Sequence, residues 1–219
     1  MFSSAVQRGE LIDRLATIRL LLNDAHPGGN TTATSREIRG LSIVLLYAAY
    51  ENLLKSLCRS LLSEAMNMRV GNRRLQPGFK VIAAFGKLQA VAGASPTAIW
   101  KSGFDVVGTV HDSRSCSIST NVFPNDGTNF KRTQVSTFCR VFGFGDPAPI
   151  LREVWEQIDG VVVQRNAVAH GSSTAGEIGR RTSYQDLADL IDLWELRWGE
   201  FLDWVDSVAS SRDFFRLPR

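Results

Sequence analysis

The segment from Ile150 to Gly171 reads ILREVWEQIDGVVVQRNAVAHG, and it is the part of the sequence that decides the fold class. Its apolar residues recur at the three-and-four spacing of a helix that buries one face. Gly171 is typical of a left-handed helix cap, so the helix is predicted to stop there. Gly160 weakens the predicted helix, because an interior glycine costs roughly 1 kcal/mol against alanine. The apolar positions are Ile150, Val154, Ile158, Val161, Val162 and Val168.

Three other segments carry the same helical pattern. A first helix is predicted from Val6 to Asn23. Thr34-Ser35-Arg36-Glu37 has the form of a capping box, in which a hydroxyl and a carboxylate satisfy backbone donors, and it is predicted to start a long second helix that reaches Met66. Ser183-Tyr184-Gln185-Asp186 opens a last long helix. The sequence therefore predicts an all-α protein with four main helices.

The pattern weakens between helices two and three, where we expect a long irregular insertion at about residues 69–146. Short helices are predicted near Lys80–Val91 and Arg132–Phe142, and Phe104–Val110 is interpreted as a short strand or an extended loop. Residues 1–219 are expected to form a single domain that includes this insertion.

Composition narrows the class of protein. The chain has 219 residues, 44% of them hydrophobic and 21% charged, and a net charge of +3, which is compatible with nucleic acid but does not argue for it. The apolar run Leu41–Tyr50 is shorter than the ~20 residues that cross a bilayer, so no membrane partner is expected. No secretory signal is predicted, and three widely separated cysteines favour a reducing cytoplasm.

Familiar catalytic signatures are missing from the sequence. It contains no GxxxxGK[ST] loop, GxGxxG turn, HExxH pair or GxSxG elbow. With only three histidines and no paired cysteines, a transition-metal site would need scattered carboxylates. We therefore expect neither a metal nor a cofactor.

Arg165 and His170 remain as the sharpest local signal. Five residues of regular helix rotate by about 500°, which leaves two such side chains about 140° apart. If the helix ends at His170, however, its ring can swing toward Arg165 or toward a second copy of the chain. From spacing alone, a solvated arginine and a histidine at a helix end is the favoured interpretation. Asn166 is either a polar surface residue or a ligand for a phosphate oxygen.

The segment R-N-x-x-A-H-G, placed on the third main helix after a long second helix, resembles the R-x4-6-H signature of HEPN domains. Tyr50-Glu51-Asn52-Leu53-Leu54 and Asn129 to Gly143 resemble the RiboL-PSP and MAE_28990-like branches more loosely. The resemblance implies an up-and-down helical bundle, often a two-fold dimer that brings two motifs into one cleft. It also implies a metal-independent endoribonuclease of toxin-antitoxin, antiviral or restriction-linked systems, although some relatives are catalytically silent.

The resemblance gives the motif residues roles. His170 would exchange a proton with the 2′-hydroxyl or the leaving 5′-oxygen of RNA, and Arg165 would hold the phosphate. Glu51 could orient either residue or be a solvated charge. Arg180 and Arg181 could bind the RNA backbone or be a solvated loop pair.

The expected partners are an RNA substrate, a second copy of the chain, and an antitoxin or another defence protein. The alternatives left open are a silent HEPN binding or regulatory module, including a toxin-neutralising partner, and a helical dimerisation scaffold. The tryptophans of the last helix are predicted to pack in the core or against another copy: Trp194, Trp198 and Trp204.

Overall fold

The structure is a computed structural model that describes residues 2–26, 31–123 and 130–218. Helices dominate these residues, which contain no strand and only two isolated bridges, Gly71 with Ser115 and Leu75 with Arg216. The predicted all-α fold class is therefore confirmed.

Ten α-helices and one short 3₁₀-helix, Asn72–Arg74, lie within the described residues. The α-helices are α1 (Ala5–Asp24), α2 (Ala33–Asn67), α3 (Pro77–Ala83), α4 (Phe85–Val91), α5 (Pro96–His111), α6 (Arg132–Phe142), α7 (Ala148–Ala169), α8 (Ala175–Arg180), α9 (Tyr184–Ala209) and α10 (Arg212–Phe215).

Helix α2 is the central element, because α1, α7, α8 and α9 all pack against it. By length and composition alone α2 could also cross a membrane, but 56% of its most apolar window is buried inside the protein. Packing against the neighbouring helices accounts for that composition. Tyr50 of α2 stacks on Trp198 of α9 with ring centroids 5.7 Å apart, and Trp194 packs edge-on against Tyr50. Trp194 and Trp198 are fully buried, which confirms their predicted place in the core.

The four long helices match the predicted ones closely, and α6 has the predicted bounds. Ser183 caps α9, where its hydroxyl accepts from the Asp186 backbone N–H at 3.0 Å, as expected. The predicted cap of α2 is wrong. Thr32 is the N-cap, and its hydroxyl accepts from the Ser35 backbone N–H at 3.0 Å while Ser35 Oγ accepts from the Thr32 backbone N–H at 2.7 Å. The helix therefore begins at Ala33, upstream of the predicted box.

Much of the segment 69–146 is helical rather than irregular, which corrects the prediction. The expected helix near Lys80–Val91 is divided at Ala84 into α3 and α4. Phe104–Val110 belongs to α5, so the strand or loop predicted there is wrong. Ser95 caps α5 and Pro96 occupies its first turn, two features that favour a helix start. The apolar residues of this segment gave a wrong prediction because α5 buries no residue fully and leaves Trp100 and Phe104 largely exposed.

Helix α7 runs without interruption through Gly160, although the backbone is kinked at Arg152, where φ is 45°. The helix ends just before Gly171, as the sequence predicts. Gly171 has a φ of 70°, the left-handed conformation that glycine adopts without a steric penalty, and the Gly171 N–H donates to the Val168 carbonyl at 3.1 Å. Arg165 therefore lies in the last part of α7, and His170 follows its last residue as the C-cap.

The short helix α8 was not predicted, and it lies in backbone contact with α2. A Cβ atom added at Gly40 of α2 would stand 1.9 Å from the carbonyl oxygen of Ala175, and one added at Gly179 of α8 would stand 1.9 Å from the carbonyl oxygen of Arg36. Only glycine permits such a close approach at both positions. This close contact holds α8, the short helix that follows α7, against the first turns of α2.

Candidate functional site at the end of α7

Arg165 is held in a defined position near the end of α7. Its guanidinium carbon lies 4.7 Å from the centroid of the Tyr47 ring of α2, which is within the range of a cation–π interaction. Its Nη1 donates to Asn166 Oδ1 at 2.9 Å. The side chain is half-buried, so the guanidinium is fixed against α2 while part of it remains accessible.

Tyr47 was not predicted as a site residue. Its side chain is buried, and burial raises the pKa of its hydroxyl, as does the negative charge of Glu51. A hydrogen bond with the Phe130 backbone and the positive charge of Arg165 act in the opposite direction. The signal that could have found Tyr47 is its spacing, because residues four apart on a helix are neighbours and Glu51 lies four residues later.

Glu51 lies beside this pair rather than against His170. Its Oε1 accepts from Lys55 Nζ at 2.6 Å, and its carboxylate also interacts with the Tyr47 hydroxyl. The structure therefore brings three of the predicted site residues together around Tyr47, a group here called the Tyr47 cluster: Arg165, Asn166 and Glu51.

His170 terminates α7. Its backbone N–H donates to the Asn166 carbonyl at 2.9 Å, which completes the last helical turn. Its imidazole is exposed and makes no hydrogen bond with any residue that the structure describes. Both ring nitrogens are therefore open to a ligand or to another chain.

Arg180 and Arg181 lie apart from the Tyr47 cluster, at the end of α8, and both are exposed. They line an open cleft of about 690 Å³ together with Arg39 of α2. A second cleft of about 390 Å³ lies between α7 and α9, and it shares Thr182 and Asp186 with the first. Gln164, the neighbour of Arg165 in sequence, lines this second cleft.

No group of three histidine, cysteine, aspartate or glutamate side chains could hold a metal ion within residues 2–26, 31–123 and 130–218. The three cysteines are free thiols. Burial raises the pKa of Cys58 and of Cys139 to about 12, and it also raises that of Cys116. None of the three is part of the Tyr47 cluster.

Comparison with known proteins gives one match. The family model described as RiboL-PSP-HEPN matches residues 10–195, a range that includes Glu51 and the whole segment from Arg165 to His170. No curated protein matches the chain significantly, and no solved structure does.

Proposed function

The chain belongs to the RiboL-PSP-HEPN family, and from this premise we propose that it is a metal-independent endoribonuclease whose site is the end of α7. HEPN membership by itself points to a nuclease or RNA-related role. The observation that carries the finer proposal is that one helix end carries both an exposed imidazole, that of His170, and, five residues earlier, the fixed guanidinium of Arg165.

RNA cleavage suits these two groups because RNA carries its own nucleophile. The 2′-oxygen attacks the adjacent phosphorus, a P–O2′ bond forms, the P–O5′ bond breaks, and the products carry a 2′,3′-cyclic phosphate and a 5′-hydroxyl. One proton leaves the 2′-hydroxyl and one reaches the 5′-oxygen, and His170 exchanges one of them. Arg165 stabilises the negative charge that develops on the phosphate oxygens, and Asn166 orients its guanidinium.

A second copy of the chain would complete this chemistry. The reaction needs one group that takes a proton and another that gives one, and each chain offers a single histidine at this place. A dimer in which the C-terminal ends of the two α7 helices face each other would supply both proton-transfer groups, because the imidazole of His170 is exposed. We place such an enzyme in defence or in a toxin-antitoxin pair, where a protein partner restrains its activity.

The contacts of Arg165 favour a second candidate function. A guanidinium that packs on Tyr47 and donates to Asn166 also fits a purely structural role in a catalytically silent HEPN module that binds RNA or a toxin. In that case His170 would be a helix-terminal residue without a chemical role.

Cleavage of a fluorescently labelled RNA oligonucleotide in EDTA distinguishes the two. Wild-type protein should produce fragments with cyclic phosphate ends, and His170→Ala should slow cleavage by roughly 10²–10⁴-fold, which is the usual contribution of a proton-transfer group. His111→Ala is the matched control, because His111 is also exposed and also lies at the end of a helix, α5. It should leave the rate unchanged.

A substrate with a single 2′-deoxy nucleotide at the cleaved position should resist cleavage, because it lacks the nucleophile. Equal cleavage of the deoxy substrate, or equal rates for His170→Ala and wild type, would refute the mechanism. Intact RNA with the wild-type protein would instead favour the silent module.

A further inference from the structure

The cleft lined by Arg39, Arg180 and Arg181, here called the arginine cleft, contains none of the residues given a role in the cleavage proposed above. We propose that it is a binding site for a phosphate group. Its volume is about 690 Å³, enough for a phosphate and the sugar that carries it, and Thr31 and Ser183 also line it.

Arg39 provides the main observation, because it is a buried arginine without a carboxylate partner among the described residues. Arg39 is only 4% exposed. Its Nε donates to the Gly179 carbonyl at 2.8 Å and its Nη1 contacts His26 Nε2 at 2.9 Å. Its Nη2 has no hydrogen-bond partner among the described residues, and it is not one of the fully enclosed polar atoms. Arg39 lines the cleft, and Nη2 is the donor that its two hydrogen bonds leave for a ligand there.

A buried positive charge without an anion is costly, since protein interiors solvate charge poorly. Burial lowers the pKa of Arg39, and the nearby positive charge of Arg36 lowers it further. Guanidinium nevertheless stays protonated in proteins. An anion that enters the cleft would replace the lost hydration, which is the physical reason to expect one there.

His26 is arranged to support Arg39 rather than to compete with it. Its Nδ1 lies 2.7 Å from the Leu22 carbonyl, which can only accept, so the proton is on Nδ1 and Nε2 is left to accept from Arg39. Its ring also packs on Tyr184, with centroids 4.8 Å apart. His26 therefore fixes one edge of the guanidinium and leaves the other edge for a ligand.

The backbone contact between α2 and α8 places the other two arginines. Because Gly40 and Gly179 allow the helices to touch, α8 ends directly beside Arg39, and Arg180 and Arg181 follow at the rim of the cleft. Three arginines of the chain thus converge on one space, although Gly179, which directly precedes Arg180 and Arg181, lies 140 residues after Arg39.

The charge balance of the arginine cleft favours an anion. Asp186 is the only acidic residue among the described residues that line it, against three arginines. Its carboxylate already accepts from the Ser183 backbone N–H at 3.2 Å, where it closes the cap of α9. Arginine is suited to phosphate because its planar fork can donate two hydrogen bonds to one phosphate.

A phosphate group can come from an RNA strand or from a small phosphorylated molecule, and the experiment separates these sources without relying on cleavage. The first probe is a labelled 2′-O-methyl RNA decamer, which lacks the free 2′-hydroxyl and so cannot be cut by the mechanism proposed above. The second is inorganic pyrophosphate. Binding of the decamer is followed by fluorescence anisotropy, and binding of pyrophosphate by the rise in melting temperature that a ligand of the native state causes.

The test variant is R180Q/R181Q, which changes two exposed arginines of the cleft. R59Q/R69Q is the matched control, because it removes the same charge from two exposed arginines that do not line the cleft. We expect R180Q/R181Q to weaken binding of at least one probe by tenfold or more, and R59Q/R69Q to weaken it by less than threefold, since distant surface charges are screened by salt. Loss of decamer binding alone identifies an RNA strand, and loss of both identifies the phosphate group itself.

Arg39→Lys keeps the charge of Arg39 but removes its fork, and it should also weaken binding while circular dichroism shows an intact helical protein. Equal binding by R180Q/R181Q and R59Q/R69Q would overturn the proposal, as would the failure of both probes to bind the wild-type protein. Neither result depends on whether the end of α7 cleaves RNA.

Discussion

Replacing Gly40 by alanine should destabilise the protein, although alanine is the better helix former. The new Cβ would stand 1.9 Å from the Ala175 carbonyl oxygen, where ordinary contact begins at 3.4 Å, so α8 must retreat by about 1.5 Å. Overpacking of this kind costs roughly 1–3 kcal/mol, and the retreat also loosens the bond of Arg39 to Gly179, worth about 1.5–3 kcal/mol for a charged donor. The higher helix propensity of alanine offsets about 1 kcal/mol of this cost. With the middle of the packing range and loss of about half of that hydrogen bond, the net loss is about 2 kcal/mol.

Thermal unfolding followed by circular dichroism measures this effect. For a chain of this size, 1 kcal/mol shifts the melting temperature by about 2–4 °C, so Gly40→Ala should lower it by roughly 4–8 °C. Gly160→Ala is the matched control, since Gly160 lies inside α7 and its Cβ would meet no atom within 4 Å. It should raise the melting temperature by about 2–4 °C. A melting temperature for Gly40→Ala equal to or above that of the wild type would refute the packing argument.

Two further predictions concern buried groups. Tyr50→Phe should leave the free energy of unfolding in urea unchanged or raise it by up to about 1 kcal/mol, because the buried Tyr50 hydroxyl has no partner among the described residues; a clear loss of stability would contradict this. Iodoacetamide should label Cys116 before Cys58 and Cys139 in the native protein at pH 8, since burial raises the pKa of the latter two to about 12; mass spectrometry showing equal labelling of all three would contradict it.

The sequence predicted the long helices well because each buries one continuous apolar face. Helices α1, α7 and α9 follow this rule, and the end of α7 and the start of α9 carry caps that can be identified in the sequence, Gly171 and Ser183. The prediction failed for α5, whose apolar residues are largely exposed, so that their spacing does not indicate a buried face. It also missed α8, although Thr174 and Glu177 form a capping box at its start, because a helix of six residues shows too few turns for an apolar periodicity.

Local spacing predicted the candidate site only where its residues are close in sequence, and Glu51 was named from the family resemblance instead. Arg165, Asn166 and His170 lie on one helix end, and the sequence alone placed them there. Tyr47 was missed because its contact with Arg165 joins two helices, and the only local signal for it was its spacing of four residues from Glu51 on α2. The partner of Arg39 was invisible for the same reason, since Gly179 lies 140 residues later.

The different surroundings of Arg165 and His170 fit the different roles that we propose for them, charge stabilisation and proton transfer. A group that stabilises developing charge works best when it is already oriented, because no reorganisation is then needed as the reaction proceeds, and Arg165 is oriented by Tyr47 and Asn166. A proton-transfer group must instead reach a ligand oxygen, and His170 is exposed at the helix end with no competing hydrogen bond among the described residues. Tyr47→Leu should therefore slow the chemical step by roughly fivefold, the equivalent of a cation–π contact of about 1 kcal/mol. Tyr47→Phe keeps the ring and should preserve most of the rate in the EDTA cleavage assay; equal losses for the two variants would show that the ring does not orient Arg165.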